Sequence, residues 1–503
     1  MEKLKKYKLE CILFNVEAIC MILELLASRL LSPYFGNSNI VWTTVIGIIL
    51  LSSSLGNYIG GKIADRNKKL NEILKMVLVI SGILILAIPM IQSTIIEVIK
   101  ELNMDIRIGA IISTILLFFS PNLFLGFLIP IVLKIKLTNF EESGNITGRT
   151  YAISTLGGIV GTFIGGFFLV PHFGSIQILI GLPIFLFILS FVLDNKLSLK
   201  GNIVQIIAII LSVIYIVLSS NSNEINAKKV LEGQLNTSVS FDTQYDRVLI
   251  RNIDYNGIPV RIMNVGIGFE TISYIAENMK YELFSDYLKA YDLMFKSKNN
   301  INNCLMIGGA GYAYPKYYIS HYLDKTLDVV EIDGEVTNLA KEFFYLDDLF
   351  EDYDLNNNNR LNLITDDGRT FLNTNNKKYD AIMNDAFSGE TPAKTLTTLE
   401  AAKLIKNSLN DDGLYLTNII GSIEGNNSKF LKAEVNTLKQ VFKNVYVISL
   451  NTLDKNAKAN YMVICTDQDI PFDNVVQLDI LPNEIILTDN YAPIDTLIPS
   501  ENG

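Results

Sequence analysis

Histidine is almost missing from this 503-residue chain, which holds only His172 and His321, and tryptophan occurs once. Two imidazoles leave little material for a histidine-based metal centre or a histidine-dependent catalytic triad, so neither is expected. Cysteine is scarce too. Cys11, Cys20, Cys304 and Cys465 fall in no paired spacing, and the first two sit inside a hydrophobic run, so no disulfide framework or zinc site is implied. Positive charge is in deficit, with 42 Lys and Arg against 52 Asp and Glu. The resulting formal charge of -10 argues against a nucleic-acid partner, which would need a basic surface.

Apolar sequence, by contrast, is abundant and unevenly placed. Composition changes sharply near residue 222, and the length exceeds that of one ordinary domain. Before that point, apolar stretches recur at about 9–31, 40–62, 73–95, 109–134, 150–171, 175–193 and 202–219, each long enough to cross roughly 30 Å of hydrocarbon. A very apolar water-soluble bundle would show polar helix faces, and stretches such as Ile83 to Ile91 and Ile178 to Leu189 have none. The lipid bilayer is therefore an expected partner. Glu10, Glu17 and Glu24 in the first stretch, with no small-residue cleavage pattern, argue against a cleavable signal peptide.

Lys3, Lys5, Lys6 and Lys8 precede the first stretch, and Lys62, Arg66, Lys68 and Lys69 follow the second, which places the N-terminus and that loop in the cytoplasm of a multi-pass membrane protein. Lys134 and Lys136, then Lys196 and Lys200, continue the alternation. Seven true spans would deliver the C-terminal half outside, whereas a re-entrant 202–219 or a miscounted span would keep it inside. Gly56 and Gly60, and Gly157, Gly161 and Gly165, line small residues along one helix face and favour close packing. Glu17 and Glu24 lie seven apart on one face with Arg29 beyond them, a placement that marks either function or internal pairing. Pro121 and Pro130 around Gly126 predict a kinked fourth helix.

The second half reads differently. From 223 to 300, short alternating strands such as Arg247 to Asn252 and Val260 to Asn264 predict a small β domain. From 301 to 503, strands alternate with helices, as in a parallel sheet covered on both faces. The expected fold is thus multi-domain: an α-helical transmembrane bundle over 1–222, a small β domain, and a Rossmann-like α/β domain of methyltransferase type. Strands are expected at 304–307, 327–332, 361–365, 381–384 and 414–418, with helices at 315–322, 336–344 and 398–409.

The turn Ile307-Gly308-Gly309-Ala310-Gly311-Tyr312 follows the first of these strands, and its small residues allow backbone amides close to a ligand before a helix N-terminus. Glu331 ends the next strand, where an acid can accept hydrogen bonds from both ribose hydroxyls. The third strand ends in Asp366-Asp367-Gly368, placed to meet an adenine amino group, and the fourth in Asn384-Asp385-Ala386-Phe387-Ser388. Any one such acid is more often a solvated loop residue or a helix cap. Four suitable strand ends in order point instead to a nucleoside such as S-adenosylmethionine, since the loop lacks a full dinucleotide fingerprint.

These motifs, with Val329-Val330-Glu331-Ile332-Asp333, Asp367-Gly368-Arg369 and Tyr379-Asp380-Ala381-Ile382-Met383-Asn384-Asp385, resemble the spermidine synthase (polyamine aminopropyltransferase) family in order and spacing. The resemblance is closer to its membrane-fused, major-facilitator-like branch, through Glu24 to Gly36, Tyr151 to Gly157 and the tail Leu487-Thr488-Asp489-Asn490-Tyr491-Ala492-Pro493. The loop Gly61 to Arg66 is similar to a cytoplasmic loop of major facilitator transporters, although seven spans fall short of their twelve. The resemblance implies that Gly308, Gly309 and Gly311 cradle the nucleoside, Glu331 binds its ribose, Asp367 contacts adenine and Asp385 acts as base. It implies decarboxylated S-adenosylmethionine as co-substrate, aminopropyl transfer to putrescine or another amine, and a homodimer, since soluble relatives commonly form one.

The chain departs from the family pattern at Gly311 and Ser388, where soluble synthases carry acids that hold a cationic diamine. Tyr245 matches the family's Tyr-Gln pair, but Asp246 replaces the glutamine, and no Tyr-His pair precedes the glycine loop. Tyr245, Asp246 and Ser388 are the candidate acceptor-binding residues. Two other readings stay open: an S-adenosylmethionine-dependent methyltransferase, and a transporter or sensor with a nucleoside- or polyamine-binding regulatory domain.

Overall fold

The computed structural model describes all residues except 1–6, 36–38, 103, 138–141, 194–198, 267–270, 298–299, 389–390, 451–453 and 499–503. Of the expected basic anchors, Lys3, Lys5, Lys6 and Lys196 lie outside the described residues. The chain divides into two compact units, Met1–Ile225 with Phe241–Arg247, and Asn226–Ser240 with Val248–Gly503. The expected 223–300 and 301–503 domains fall together in the second unit, apart from the short segment 241–247, which is drawn into the first.

Among the described residues, seven helices are long and apolar enough to cross a membrane: α1 (Lys8–Phe35), α2 (Asn39–Arg66), α3 (Leu70–Glu101), α4 (Arg107–Lys136), α5 (Ser143–His172), α6 (Ser175–Leu193) and α7 (Leu199–Leu231), the last of which starts in the first unit and ends in the second. They correspond to the seven apolar stretches read from the sequence. Glycine sets the closest approaches. A Cβ at Gly157 would stand 2.1 Å from the Phe14 carbonyl oxygen, and one at Gly161 would stand 2.4 Å from the Ala18 Cα, so α1 and α5 touch backbone to backbone. Gly56 meets the Leu123 carbonyl of α4 in the same way, at 2.3 Å. α4 is interrupted, with a π-helical turn over Ile115–Phe119 just before Pro121 and a second break at Phe127 before Pro130. Ser52 of α2 donates to the Phe119 carbonyl at the first break, the repair by a neighbouring helix that an interrupted apolar helix needs.

In the second unit, β1 (Thr237–Asp242), β2 (Arg247–Tyr255), β3 (Ile258–Val265) and β4 (Thr271–Tyr274) form a four-stranded sheet in sequential order, β1 and β2 reaching into segment 241–247 at their adjoining ends. Asn256 and Gly257, both at positive φ, make the two-residue turn between β2 and β3.

A seven-stranded sheet follows. Its strands are β5 (Asn303–Ile307), β6 (Thr326–Glu331), β7 (Leu361–Thr365), β8 (Tyr379–Asn384), β9 (Leu409–Gly421), β10 (Asn444–Ser449) and β11 (Ala459–Thr466), in spatial order β10-β11-β9-β8-β5-β6-β7. β5 to β9 pair in parallel, and β11 runs antiparallel to both β9 and β10. Alternate residues feed two cores: Cys304 and Met306 face one, Leu305 and Ile307 the other. Strand order reverses between β5 and β8, which puts the ligand crevice of an open α/β sheet at their carboxyl ends. β9 runs well beyond the expected 414–418. Its register shifts between Leu409 and Leu414, and Asp412 at positive φ together with Gly413 makes that irregularity read locally as a turn. β10 and β11 were not anticipated as named strands.

Candidate nucleoside-binding and catalytic site

The carboxyl ends of β5, β6, β7 and β8 bring the expected groups to one rim. After β5 the chain turns through Gly308 (φ 93°), Ala310 (φ 42°) and Tyr312 (φ 54°) before helix Ala313–His321. Gly308 is the point of contact between strand ends. A Cβ there would stand 2.6 Å from the Asp385 carbonyl oxygen, so both the positive φ and the space require glycine. The Asp385 amide donates to the Ile307 carbonyl at 2.9 Å, and the Gly308 amide to Val330 at the same distance, which locks the turn between β6 and β8. Gly309 lies under the Tyr312 ring, and Gly311 under the Thr271 side chain of β4, 2.6 Å from where its Cβ would be. The Gly311 amide donates to the Thr271 hydroxyl at 2.9 Å.

Glu331 ends β6 and is buried. Its Oε2 accepts the amides of Gly309 (2.8 Å) and Ala310 (3.0 Å), and its Oε1 accepts the Asp333 amide at 3.1 Å. Burial raises its pKa, and these amide bonds oppose the rise. Of the roughly four acceptor sites of a carboxylate, these three amide bonds leave one on Oε1, so a second ribose hydroxyl would have to share an oxygen with, or displace, an amide. Asp366 and Asp367 follow β7. Asp366 accepts the Asp367 amide at 2.8 Å, and Asp367 caps helix Gly368–Thr374 by accepting the Thr370 amide at 2.9 Å. Arg369, two residues on, donates to Asp489 (2.8 Å) and to Thr398 (3.1 Å), and the Thr398 hydroxyl donates to Asp489 at 2.7 Å. The tail motif thereby fastens the third strand's motif in place.

Asp385 follows β8, and burial pushes its carboxyl up to about 6. The hydroxyls of Tyr291 and Tyr287 hydrogen-bond the carboxyl and oppose that rise. Tyr287 stands 3.5 Å from Oδ2, and Tyr291, fully buried, also donates to the Asn384 carbonyl at 3.1 Å. Both tyrosines lie on the short helical segment Asp286–Lys296, and sequence reasoning missed them. No local signal ties either ring to Asp385, which lies more than 90 residues later in the chain.

The remaining candidates are placed differently. Ser388 lies in a two-residue ladder with Thr391, and its side chain is outside the described residues. Tyr245 and Asp246 belong to the first unit. There Asp246 is buried and accepts the Ser32 hydroxyl at 3.0 Å, while Tyr245 is exposed.

Residues 290–474 match the family of the spermine/spermidine synthase domain. The polyamine aminopropyltransferase of Thermoplasma volcanium is 32% identical over 155 residues, 30% of this chain and 52% of that protein. The polyamine aminopropyltransferase of Methanocaldococcus jannaschii is 35% identical over 117 residues, 23% of this chain and 38% of that protein. The chain thus spans about half or less of the length of these curated relatives. Among solved structures, a probable spermidine synthase from Corynebacterium glutamicum aligns with a TM-score of 0.39 at 18% identity, covering 47% of this chain and 82% of that one.

Proposed function

We propose that this chain is a membrane-embedded aminopropyltransferase-like enzyme that moves the aminopropyl group of decarboxylated S-adenosylmethionine onto an amine. One observation carries the reading. A carboxyl group raised to about 6, that of Asp385, directly follows β8, hydrogen-bonded by two tyrosine hydroxyls and beside the glycine turn that Glu331 holds. In the reaction, the amine nitrogen attacks the aminopropyl carbon next to sulfur, a C–N bond forms, and the C–S bond breaks with its electron pair returning to sulfur. Methylthioadenosine leaves. The nitrogen gives up one proton, and a base titrating near 6 accepts it at neutral pH when within hydrogen-bond reach. Holding the two reactants in line supplies the rest.

Glu331 would hold the ribose, Asp367 the adenine, and Gly308, Gly309 and Gly311 would admit the nucleoside close to backbone. Tyr245, Asp246 and Ser388 are retained as acceptor-side candidates. The major-facilitator-like character of the helical unit and a homodimeric state belong to the same proposal. A methyltransferase reading has one specific support. Thr271 fills the space over Gly311 into which a diamine-binding carboxylate would project, so the site is less suited to a cationic diamine.

Calorimetric titration of the detergent-purified protein with S-adenosylmethionine, its decarboxylated form and methylthioadenosine, followed by product analysis with putrescine, tests the proposal. Preferential binding of the decarboxylated donor with methylthioadenosine release supports it. Preference for the carboxylated donor moves the assignment to methyl transfer, and binding without turnover moves it to a sensor or transporter.

A further inference from the structure

We infer that the nucleoside site works on the extracytoplasmic side of the membrane, on donor and amine drawn from outside the cytoplasm. The first ground is parity: among the described residues, seven helices of spanning length and composition precede the α/β domain, and an odd number of spans brings the chain after α7 out on the side opposite the start of α1.

The second ground is charge. Lys8, Lys62, Arg66, Lys68, Lys69, Lys134, Lys136 and Arg149 all lie by the start of α1 or α5 or the end of α2 or α4, which the alternation of spans places at one end of the bundle. Contacts join these helix ends: Lys136 pairs with Glu10, Arg149 stands 3.8 Å from Glu10, Lys134 pairs with Asp65 at 2.8 Å, and Lys8 donates to the Leu193 carbonyl that ends α6. The other end is less basic: Arg29, Lys100 and Arg107 lie by the ends of α1 and α3 and the start of α4, and Lys228 and Lys229 in the last turn of α7. Such asymmetry fixes the basic end in the cytoplasm.

The third ground is internal to the first unit. Segment Phe241–Arg247, which follows α7 in the chain, packs at the far end of α1. Arg29 donates to the Gln244 carbonyl at 2.9 Å, Ser32 donates to Asp246, and Asp242 accepts the Ser175 amide that opens α6 at 2.8 Å. From Glu10 to Arg29 and Ser32 along α1 is roughly 30 Å at helical rise, one hydrocarbon thickness. Segment 241–247, which follows the last span in the chain, is therefore held about one hydrocarbon thickness from the basic end. Resting on the reading of the site given above, the donor must be exported or scavenged, and the acceptor must be an amine available at the outer surface.

The test uses the full chain in spheroplasts with a membrane-impermeant maleimide, in a Cys11→Ser background, because Cys20, Cys304 and Cys465 are buried and Cys11 is exposed. Asn376→Cys, at an exposed loop of the α/β domain, should label before permeabilisation, and Asn67→Cys, between α2 and α3, only afterwards. The opposite pattern, both labelled, or both protected would each overturn the inference. Labelling does not depend on turnover, so an outward-facing but inactive domain would sink the proposed reaction and leave the sidedness standing.

Discussion

Asp385→Asn should abolish turnover and at the same time stabilise the protein, with a pH signature that ties both effects to one carboxyl group. Burial raises this carboxyl from the ordinary 3.8 to about 6, a preference for the neutral form worth about 3 kcal/mol. The sign follows from linkage. The unfolded chain ionises Asp385 near 3.8 and the folded chain only near 6, so wild-type stability falls between those values and then stays low. An amide carries no charge to desolvate. The variant should therefore match the wild type below about pH 4, gain steadily from about 4 to 6, and hold its full advantage above. For a domain of this size, about 3 kcal/mol corresponds to roughly 6 to 12 °C in melting temperature. Differential scanning fluorimetry of both proteins in detergent from pH 4.5 to 8, beside a methylthioadenosine release assay, reads both quantities. A Tm difference that does not change with pH, or retained turnover, would refute the argument that a buried carboxylate is kept here as a base.

Wild-type turnover should rise with pH through about 6, and Tyr291→Phe should move that limb alkaline by about one pH unit, because it removes a hydrogen bond to the ionised form; a pH–rate profile decides it. Glu331→Gln should weaken donor binding by roughly tenfold to a hundredfold in calorimetry, since an amide nitrogen would face the backbone donors of Gly309, Ala310 or Asp333. Gly308→Ala places a Cβ 2.6 Å from the Asp385 carbonyl at φ 93° and should cost about 1–3 kcal/mol in backbone strain alone, with loss of donor binding; unchanged binding would remove the turn from the site. Gly311→Asp should lower the melting temperature through its clash with Thr271, and adding Thr271→Ala should recover some of the loss.

Much of this site was legible because its signals are local. Mostly apolar runs located β5, β6 and β8, glycines marked the turn after β5, and acids stand at or just after the ends of β6, β7 and β8. What the sequence concealed depends on contacts distant in the chain. Nothing near Tyr287 says that its ring reaches Asp385, 98 residues later. The Asp411-Asp412-Gly413 run reads as a turn, yet the sheet carries β9 through it as an irregularity. Segment 241–247 was expected inside the small β domain, and its contacts with the first unit run to Arg29 and Ser32, more than 200 positions earlier.

The departures from the aminopropyltransferase motif fall on one side of the chemistry. On the proposed reading, the groups assigned to the nucleoside donor all lie at the strand ends: the glycine turn, Glu331 fastened to it, Asp367 at the head of its helix, and Asp385 under two tyrosines. The groups that would neutralise a second ammonium are the ones replaced, by Gly311 and Ser388. At Gly311 the replacement is structural and not a simple deletion, because Thr271 of β4 fills the space and its hydroxyl accepts the turn's amide. A buried ammonium without carboxylates costs several kcal/mol. If the proposed reaction holds, the expected acceptor is an amine whose far end is uncharged or reaches solvent. A monoamine or an amine-bearing surface group should outcompete putrescine when both are offered to the full-length protein.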